Sequence, residues 1–304
     1  MVLSCSYMVE EVRRVLADGS AYGVKLSYAV ETDPLGTAGG VRNAIDLVGG
    51  LVLVLNGDIL TDADLSAMLR FHEDRRAAAT IALFPVPDPT PYGLVETGEA
   101  GRVLRFIEKP DPARVTTNTI NAGIYLLERE LLGRIPEGRM VSIEREFFPG
   151  LLADRVPFYG WLGLHYWLDI GSPAKYRQAQ LDLMAGKLST GLPIAPGTDG
   201  RRIADDVALE ATARVAGPCV IGAGSRLDAE CHVGPGTVLG ERCVVGRGAR
   251  VTGAVLWDHV SVGDGAVLHD CIIASGARIG AGARVGPGVV IEADHVVGEH
   301  ARLP

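Results

Sequence analysis

Residues 220–251 read VIGAGSRLDAECHVGPGTVLGERCVVGRGARV, and a large aliphatic residue returns at every sixth position: Ile221, Leu227, Val233, Leu239, Val245 and Val251. The same beat runs back through Val215 to Leu209 and forward through Trp257, Val262, Leu268, Ile273, Ile279, Val285, Ile291 and Val297, with two five-residue steps. Glycine often follows the anchor, as at Gly222, Gly234, Gly240 and Gly246, and a small residue holds the fifth place, as at Ala213, Ser225, Thr237 and Ala249. A unit of this kind turns the chain through one side of a triangular coil, and stacked coils bury a continuous apolar core. Residues 205–304 are therefore predicted to form a left-handed parallel β-helix of hexapeptide repeats, about five coils long.

A length of 304 residues with 47% hydrophobic content accommodates two buried cores. The net charge is −8 and Lys and Arg form no runs, so neither nucleic acid nor an anionic membrane is an expected partner. The longest aliphatic run, Leu51 to Leu55, falls far short of the roughly 20 residues that cross a bilayer. The five cysteines show no metal or redox spacing. Cys219, Cys231 and Cys243 fall on the fifth, small-residue place of their hexads, where a thiol acts as a small apolar group. A cytoplasmic protein is the expectation.

Before the repeat, strands and helical patterns alternate: a strand at Val2 to Ser4, a helix from Glu10 to Ala17, an alternating stretch from Val24 to Val30, a helix near Val41 to Val48, and a strand at Leu51 to Leu55. This order predicts an α/β sheet with crossovers. Further strands are expected near 80–84, 93–96, 103–108, 120–127 and 156–162, and helices near 65–72, 143–153 and 173–185. Ser172 and Pro173 suit the start of the last helix and Gly186 its end. Domains are thus expected at 1–187 and 205–304, joined by a Gly-, Pro-, Ser- and Thr-rich linker over 188–204.

Leu51 to Leu55 runs straight into Asn56-Gly57-Asp58, which delivers a carboxylate to the C-terminal end of a strand, the edge where open α/β sheets bind ligands. Tyr166-Trp167-Leu168-Asp169-Ile170-Gly171 delivers a second one just before a capped helix. Two such carboxylates suit a shared Mg²⁺ whose remaining positions are filled by substrate phosphates. Asn-Gly-Asp is also an ordinary turn, in which Asp58 would cap a helix. Between the two, Phe106-Ile107-Glu108-Lys109-Pro110 ends a strand in a lysine, a compact phosphate partner that the following proline biases toward extended backbone. Glu31-Thr32-Asp33-Pro34-Leu35-Gly36-Thr37-Ala38-Gly39-Gly40 links a strand to a helix with little bulk, so backbone can approach a flat ligand closely, and a plain Gly-rich connection is the alternative. No Ser/His/Asp or Cys/His arrangement suggests a covalent intermediate.

In this order, Ser6-Tyr7, Pro34 to Gly39, Asn56-Gly57-Asp58, Tyr92-Gly93, Phe106 to Pro110, Ile120 to Tyr125, Ser142-Ile143-Glu144 and Trp167 to Gly171, followed by the hexapeptide tail, resemble the sugar-1-phosphate nucleotidyltransferases over essentially the whole chain. Within that family the resemblance leans to the branch that works on GTP and mannose 1-phosphate. It implies a Rossmann-like nucleotidyltransferase sheet ahead of the β-helix, and transfer of a nucleotidyl group from a nucleoside triphosphate to a sugar 1-phosphate with release of pyrophosphate. It implies that Asp58 and Asp169 hold the catalytic Mg²⁺ and that Lys109 neutralises phosphate. Glu31, Pro34, Gly36, Thr37 and Gly39 would receive the nucleotide, and Tyr92, Gly93, Glu108, Lys109 and Asn121 would surround the sugar phosphate. Catalysis of this kind is positioning plus neutralisation of spreading negative charge.

The family also opens with a strand and a Gly-rich, Arg-bearing loop, followed by a Pro-Lys-Pro, which cradle the triphosphate. This sequence starts at what resembles the second strand, so the sheet is expected to be incomplete at its N-terminal side, with unpaired edges and slow or absent turnover. A misplaced start codon is the simplest account. Two other readings stand beside the enzyme: a non-catalytic regulatory or scaffolding paralogue, and a hexapeptide acyltransferase using one of His232, His259, His269, His295 or His300, for which the repeat offers no protruding loop. A homo-oligomer, at least a dimer, is expected because β-helices commonly serve assembly.

Overall fold

The stretch Ile120 to Leu127 is apolar on both faces but for Asn121, as a strand covered on both sides must be. The computed structural model describes residues 1–188 and 199–304, and in it Thr119–Glu128 is the centre of a mixed sheet. One edge of this strand pairs with Ala79–Pro85 and the other with Gly93–Thr97 and then Leu51–Leu55, all antiparallel. Val103–Glu108 continues the sheet beyond Gly93–Thr97, and Phe158–Trp161 lies parallel to Ala79–Pro85 at the far side. Ile81, Leu83, Tyr125 and Leu127 pack with Phe148 and Phe158 in the core beneath. Each such side chain, fully removed from water, contributes about 1.5–3 kcal/mol before the entropy of ordering is charged against it.

The central strand changes partner at Gly123, whose φ is +72°. Its N–H donates to Asn121 Oδ1 (2.9 Å) and its carbonyl accepts from Asn56 N–H (2.8 Å). A Cβ there would lie 2.8 Å from Asn56 Nδ2, so only glycine lets the Asn56-Gly57-Asp58 turn close against the sheet. Val2–Cys5 and Ser27–Val30 form a separate parallel pair. Among the described residues neither Val2–Cys5 nor Leu51–Leu55 has a second strand partner, and Leu53 and Leu55 remain 39% and 46% exposed.

Two differences from the sequence reading concern this region. The helix expected near 41–48 begins earlier, as Gly36–Asn43, and Ile45–Leu47 is a separate 3₁₀ turn. Glycine is a poor helix former in isolation, but here the backbone of Val141 supplies partners that the pattern of side chains does not reveal. The helix expected over 143–153 divides into a π-helical turn, Ile143–Phe147, and Phe148–Ala153.

Two units divide the chain, one of residues 1–59 and 63–167 and the other of 60–62 and 168–304. In the second, the Pro173–Met184 helix starts as expected, with Ser172 Oγ accepting from Lys175 N–H, and stops before Gly186 at φ +68°. The segment 189–198, which makes up most of the expected linker, lies outside the described residues. From Arg201 onward the chain builds three parallel sheets of six strands each, so the β-helix has about six coils and begins one strand earlier than the anchors suggest. Cys219 is buried, and Cys231, Cys243 and Cys271 belong to its apolar core. Burial pushes the last of these up to about 12, which keeps it inert.

Trp257 is not an interior anchor. Strand pairing aligns Leu239, Leu256 and Ile273, and Leu256 is 1% exposed against 44% for Trp257. The five-residue step falls before Leu256 instead of after Trp257, because an indole would overpack an interior built of Val, Leu and Ile. Trp257 instead meets Tyr176 edge to face, with centroids 6.3 Å apart.

Candidate functional site

Glu31 follows the Ser27–Val30 strand and closes the loop after it. Its Oε2 accepts from Leu35 N–H (2.9 Å) and its Oε1 from the Ser4 hydroxyl (2.9 Å). A Cβ on Gly40 would approach Oε1 to 2.6 Å, so the glycine makes room for the carboxylate. Gly36 takes φ +71° and its Cβ would lie 2.8 Å from Val141 O. The same carbonyl accepts from Ala38 N–H (3.0 Å) and Gly39 N–H (3.3 Å), while Val141 N–H donates to Leu35 O (2.8 Å). Thr37 Oγ1 accepts from Ile143 N–H (2.8 Å) and donates to Glu144 Oε2 (3.0 Å), where the Ser142 hydroxyl also donates (2.9 Å). The residues 139–144 therefore form the wall against which the loop is built. Ser142-Ile143-Glu144 stands among the motifs that carry the family resemblance, without a role attached, and the Ser142 cap starts the turn; Arg139, Met140 and Val141 carry no such signal.

Glu31, Gly36 and Thr37 line a cavity of about 350 Å³ whose opposite wall is Leu53, Leu55, Asn56 and Gly57. Two motifs separated by some twenty residues thus face one space, and Asp58, the next residue in the chain after Gly57, is exposed. Pro34 is exposed, whereas Gly39 is buried against Arg139 O, where a Cβ would come within 2.9 Å.

The second group gathers along the strands. Gly93 pairs with Glu108, and a Cβ on Gly93 would strike the Phe106 ring at 2.7 Å and Glu108 Oε2 at 3.0 Å. The Glu108 carboxyl is pushed up by burial and then by the nearby Glu144 charge, partly offset by Lys109 and Arg145. Asn121 donates through Nδ2 to the Tyr125 hydroxyl (2.9 Å), whose own pKa burial raises. Glu144, Glu108 and Asp58 add to that rise through their negative charge. Tyr92 meets Trp167 edge to face with centroids 5.4 Å apart, and Trp167 Nε1 donates to Ala122 O (2.8 Å).

Lys109 departs from expectation. Its φ is +46°, in the left-handed region, despite the extended bias that Pro110 imposes. The bond from its N–H to Tyr92 O (3.0 Å) turns the strand end and leaves the side chain exposed. That backbone conformation is costly for a lysine, and eleven other non-glycine residues among those described share it.

Asp169, in the other unit, ends Trp167–Asp169. Its Oδ2 receives the Lys175 ammonium (2.6 Å) and its Oδ1 the Gly171 N–H (2.8 Å). Burial alone would raise this carboxyl, but Lys175 and Gly171 outweigh it and hold the group below the ordinary carboxylate range. Lys175 was not singled out in the sequence, since a lysine in a helix's first turn carries no pattern. Both aspartates offer the hard oxygens that Mg²⁺ prefers, and the cation already beside Asp169 shows that its position suits positive charge. No group of three or more His, Cys, Asp or Glu able to hold a metal occurs among the described residues. No helix there is long and apolar enough to cross a membrane.

Residues 1–186 match the nucleotidyl transferase family, and residues 201–303 match the LbH domain of EIF2B subunit epsilon. The mannose-1-phosphate guanylyltransferase of Mycobacterium tuberculosis is 40% identical over 272 residues, which cover 88% of this chain and 69% of the relative. A probable mannose-1-phosphate guanylyltransferase 2 of Arabidopsis thaliana is 38% identical over 65% of this chain and 56% of its own length. Among solved structures, HddC from Yersinia pseudotuberculosis complexed with GMP-PN aligns at a TM-score of 0.51 and 26% identity, over 59% of this chain and 76% of that one. Sheet, cavity, β-helix and these likenesses agree, and the chain belongs to the sugar-1-phosphate nucleotidyltransferase family, a lineage of enzymes.

Proposed function

We propose that the protein transfers a guanylyl group from GTP to mannose 1-phosphate, giving GDP-mannose and pyrophosphate. The observation that carries this reading is the cavity where Glu31, Gly36 and Thr37 face Asn56 and Gly57. A phosphate oxygen of the sugar 1-phosphate attacks the α-phosphorus in line, the bond to the β-phosphate bridging oxygen breaks, and that oxygen keeps the electron pair as pyrophosphate leaves. Asp58 and Asp169 would hold the Mg²⁺ that such a reaction uses to offset charge on the phosphates. Lys109 places an ammonium against the sugar phosphate, Glu108 and Asn121 accept and donate to sugar hydroxyls, and the Gly36–Thr37 backbone that lines the cavity meets the base. A cytoplasmic location and assembly into a dimer or larger are parts of the same reading.

Transfer by this chain is slow. The amides at the start of the Gly36–Asn43 helix are the natural cradle for a polyphosphate, yet Ala38 N–H and Gly39 N–H are already committed to Val141 O. The same closed turn favours a second reading, a paralogue that binds ligands without turnover. Titration calorimetry with GTP, UTP, ATP, dTTP, mannose 1-phosphate and glucose 1-phosphate in MgCl₂, alongside pyrophosphate release, separates the possibilities. Binding of mannose 1-phosphate that Lys109→Met abolishes supports the site, and turnover on the order of 1 to 10³ s⁻¹ would refute the slow transfer. Binding of no member of the panel overturns the reading.

A further inference from the structure

Register along the β-helix puts Arg214, His232, Arg250, Val267, Arg284 and Arg302 directly above one another, one per coil. Their chain neighbours Val233, Val251, Leu268 and Val285 are buried, so this column points out of the prism, and all four arginines are exposed. The other two faces are unlike it. One is apolar, with Val238 and Val255 beside Tyr176 and Gln180 of the Pro173–Met184 helix. On the other, Arg226 is tied to Asp228 at 3.0 Å. Among the described residues Arg214, Arg250, Arg284 and Arg302 have no ion pair.

Parallel strands lie 4.7–4.9 Å apart, so the column from Arg214 to Arg302 is about 24 Å long. That is the reach of roughly seven extended residues. The strands beneath are paired on both sides except at the ends, so a ligand here is held by side chains and not by strand addition. Guanidinium forks bind carboxylates and phosphates two-pronged. A polyphosphate chain is disfavoured by the net charge of −8 and by the exposed Glu230, Asp264 and Glu299 in the turns that enter this face. A short segment with a few spaced carboxylates avoids most of that repulsion. We propose that this arginine face is a docking surface for an acidic, extended polypeptide segment of a partner protein, lying along the β-helix axis. The proposal does not depend on the transferase reading.

Fluorescence anisotropy with a labelled peptide of about twelve residues alternating Glu and Ser tests it. Two variants carry the same change in charge: Arg214, Arg250, Arg284 and Arg302→Ser on the face, and Arg202, Arg226, Arg242 and Arg278→Ser off it. The wild type and the off-face variant should bind with salt-sensitive affinity, and the face variant should lose about tenfold or more. On the wild-type chain, the peptide should slow phenylglyoxal modification of the four face arginines and leave Arg278 unprotected, a readout that survives if either variant fails to fold. Absent wild-type binding, equal loss in both variants, or uniform protection overturns the proposal. So does tighter binding of a short DNA duplex, which would assign the face to phosphates, or dissociation of a wild-type oligomer by the face variant, which would assign it to a second copy of this chain.

Discussion

The Thr37 hydroxyl donates to Glu144 Oε2 over 3.0 Å, joining positions 107 residues apart. That bond ties the Gly-rich loop on one side of the cavity to the π-helical turn that carries a charge toward Glu108. A loop with three glycines in five residues has much freedom to lose. Glu144 and Val141 remove that freedom in advance, so a ligand meets a formed surface and pays less to order it.

Glu144→Ala should cost about 0.5–1.5 kcal/mol in unfolding free energy, because the exposed Thr37 hydroxyl and the half-buried Ser142 hydroxyl exchange this acceptor for water. Glu144→Gln keeps an acceptor oxygen and should cost less. Both remove a negative charge that raises Glu108, so the Glu108 pKa should fall in each, as read by carboxyl carbon NMR titration. An unchanged Glu108 titration would show that the two carboxylates do not communicate.

Gly36→Ala forces a Cβ into a φ of +71° and to within 2.8 Å of Val141 O. A loss of about 1–3 kcal/mol is expected in urea unfolding, with faster hydrogen exchange at Ala38 and Gly39. Gly57→Ala, where a Cβ meets nothing within 4 Å, is the control and should be nearly neutral.

Asp169 has a depressed pKa, so its pairing contributes stability above its unfolded value of about 3.9, and that stability is lost as pH falls through the lower folded value. Lys175→Met removes the 2.6 Å ion pair and should raise the Asp169 pKa. The acid unfolding transition should move to higher pH, measured by thermal melts across about pH 2 to 6. A transition that stays in place would mean that other groups set acid stability.

Leu256→Ala should destabilise the β-helix by about 2–5 kcal/mol, since Leu256 is 1% exposed in the interior stack. Trp257→Ala should cost clearly less, losing chiefly its contact with Tyr176. The opposite order would restore Trp257 as the anchor.

The repeat was legible because one inward residue per side of a coil writes its period directly into the chain. Its misplaced anchor, Trp257 for Leu256, arose where two adjacent apolar residues both fit the beat and only interior volume chooses between them. The strands of the first unit were legible for a similar reason: Ile120 to Leu127 and Leu51 to Leu55 are apolar runs with marked ends. What could not be read was long-range. Nothing local to Gly36 announces that Val141 will satisfy its helix start, nothing near Asp169 announces Lys175, and Pro110 argues for the wrong backbone at Lys109. Those features come from segments brought together by folding.

The proposed nucleotidyl transfer requires the cavity lined by Asn56 and Gly57 and the strand end bearing Lys109 to act together. Its most direct test is isotope exchange: GDP-mannose incubated with radiolabelled pyrophosphate and Mg²⁺, a readout sensitive enough for a slow enzyme. The expected result is labelled GTP, formed by the wild-type chain and lost in Asp58→Asn and Lys109→Met variants that still fold. Absence of label with GDP-mannose and with every other nucleotide sugar supplied would contradict it.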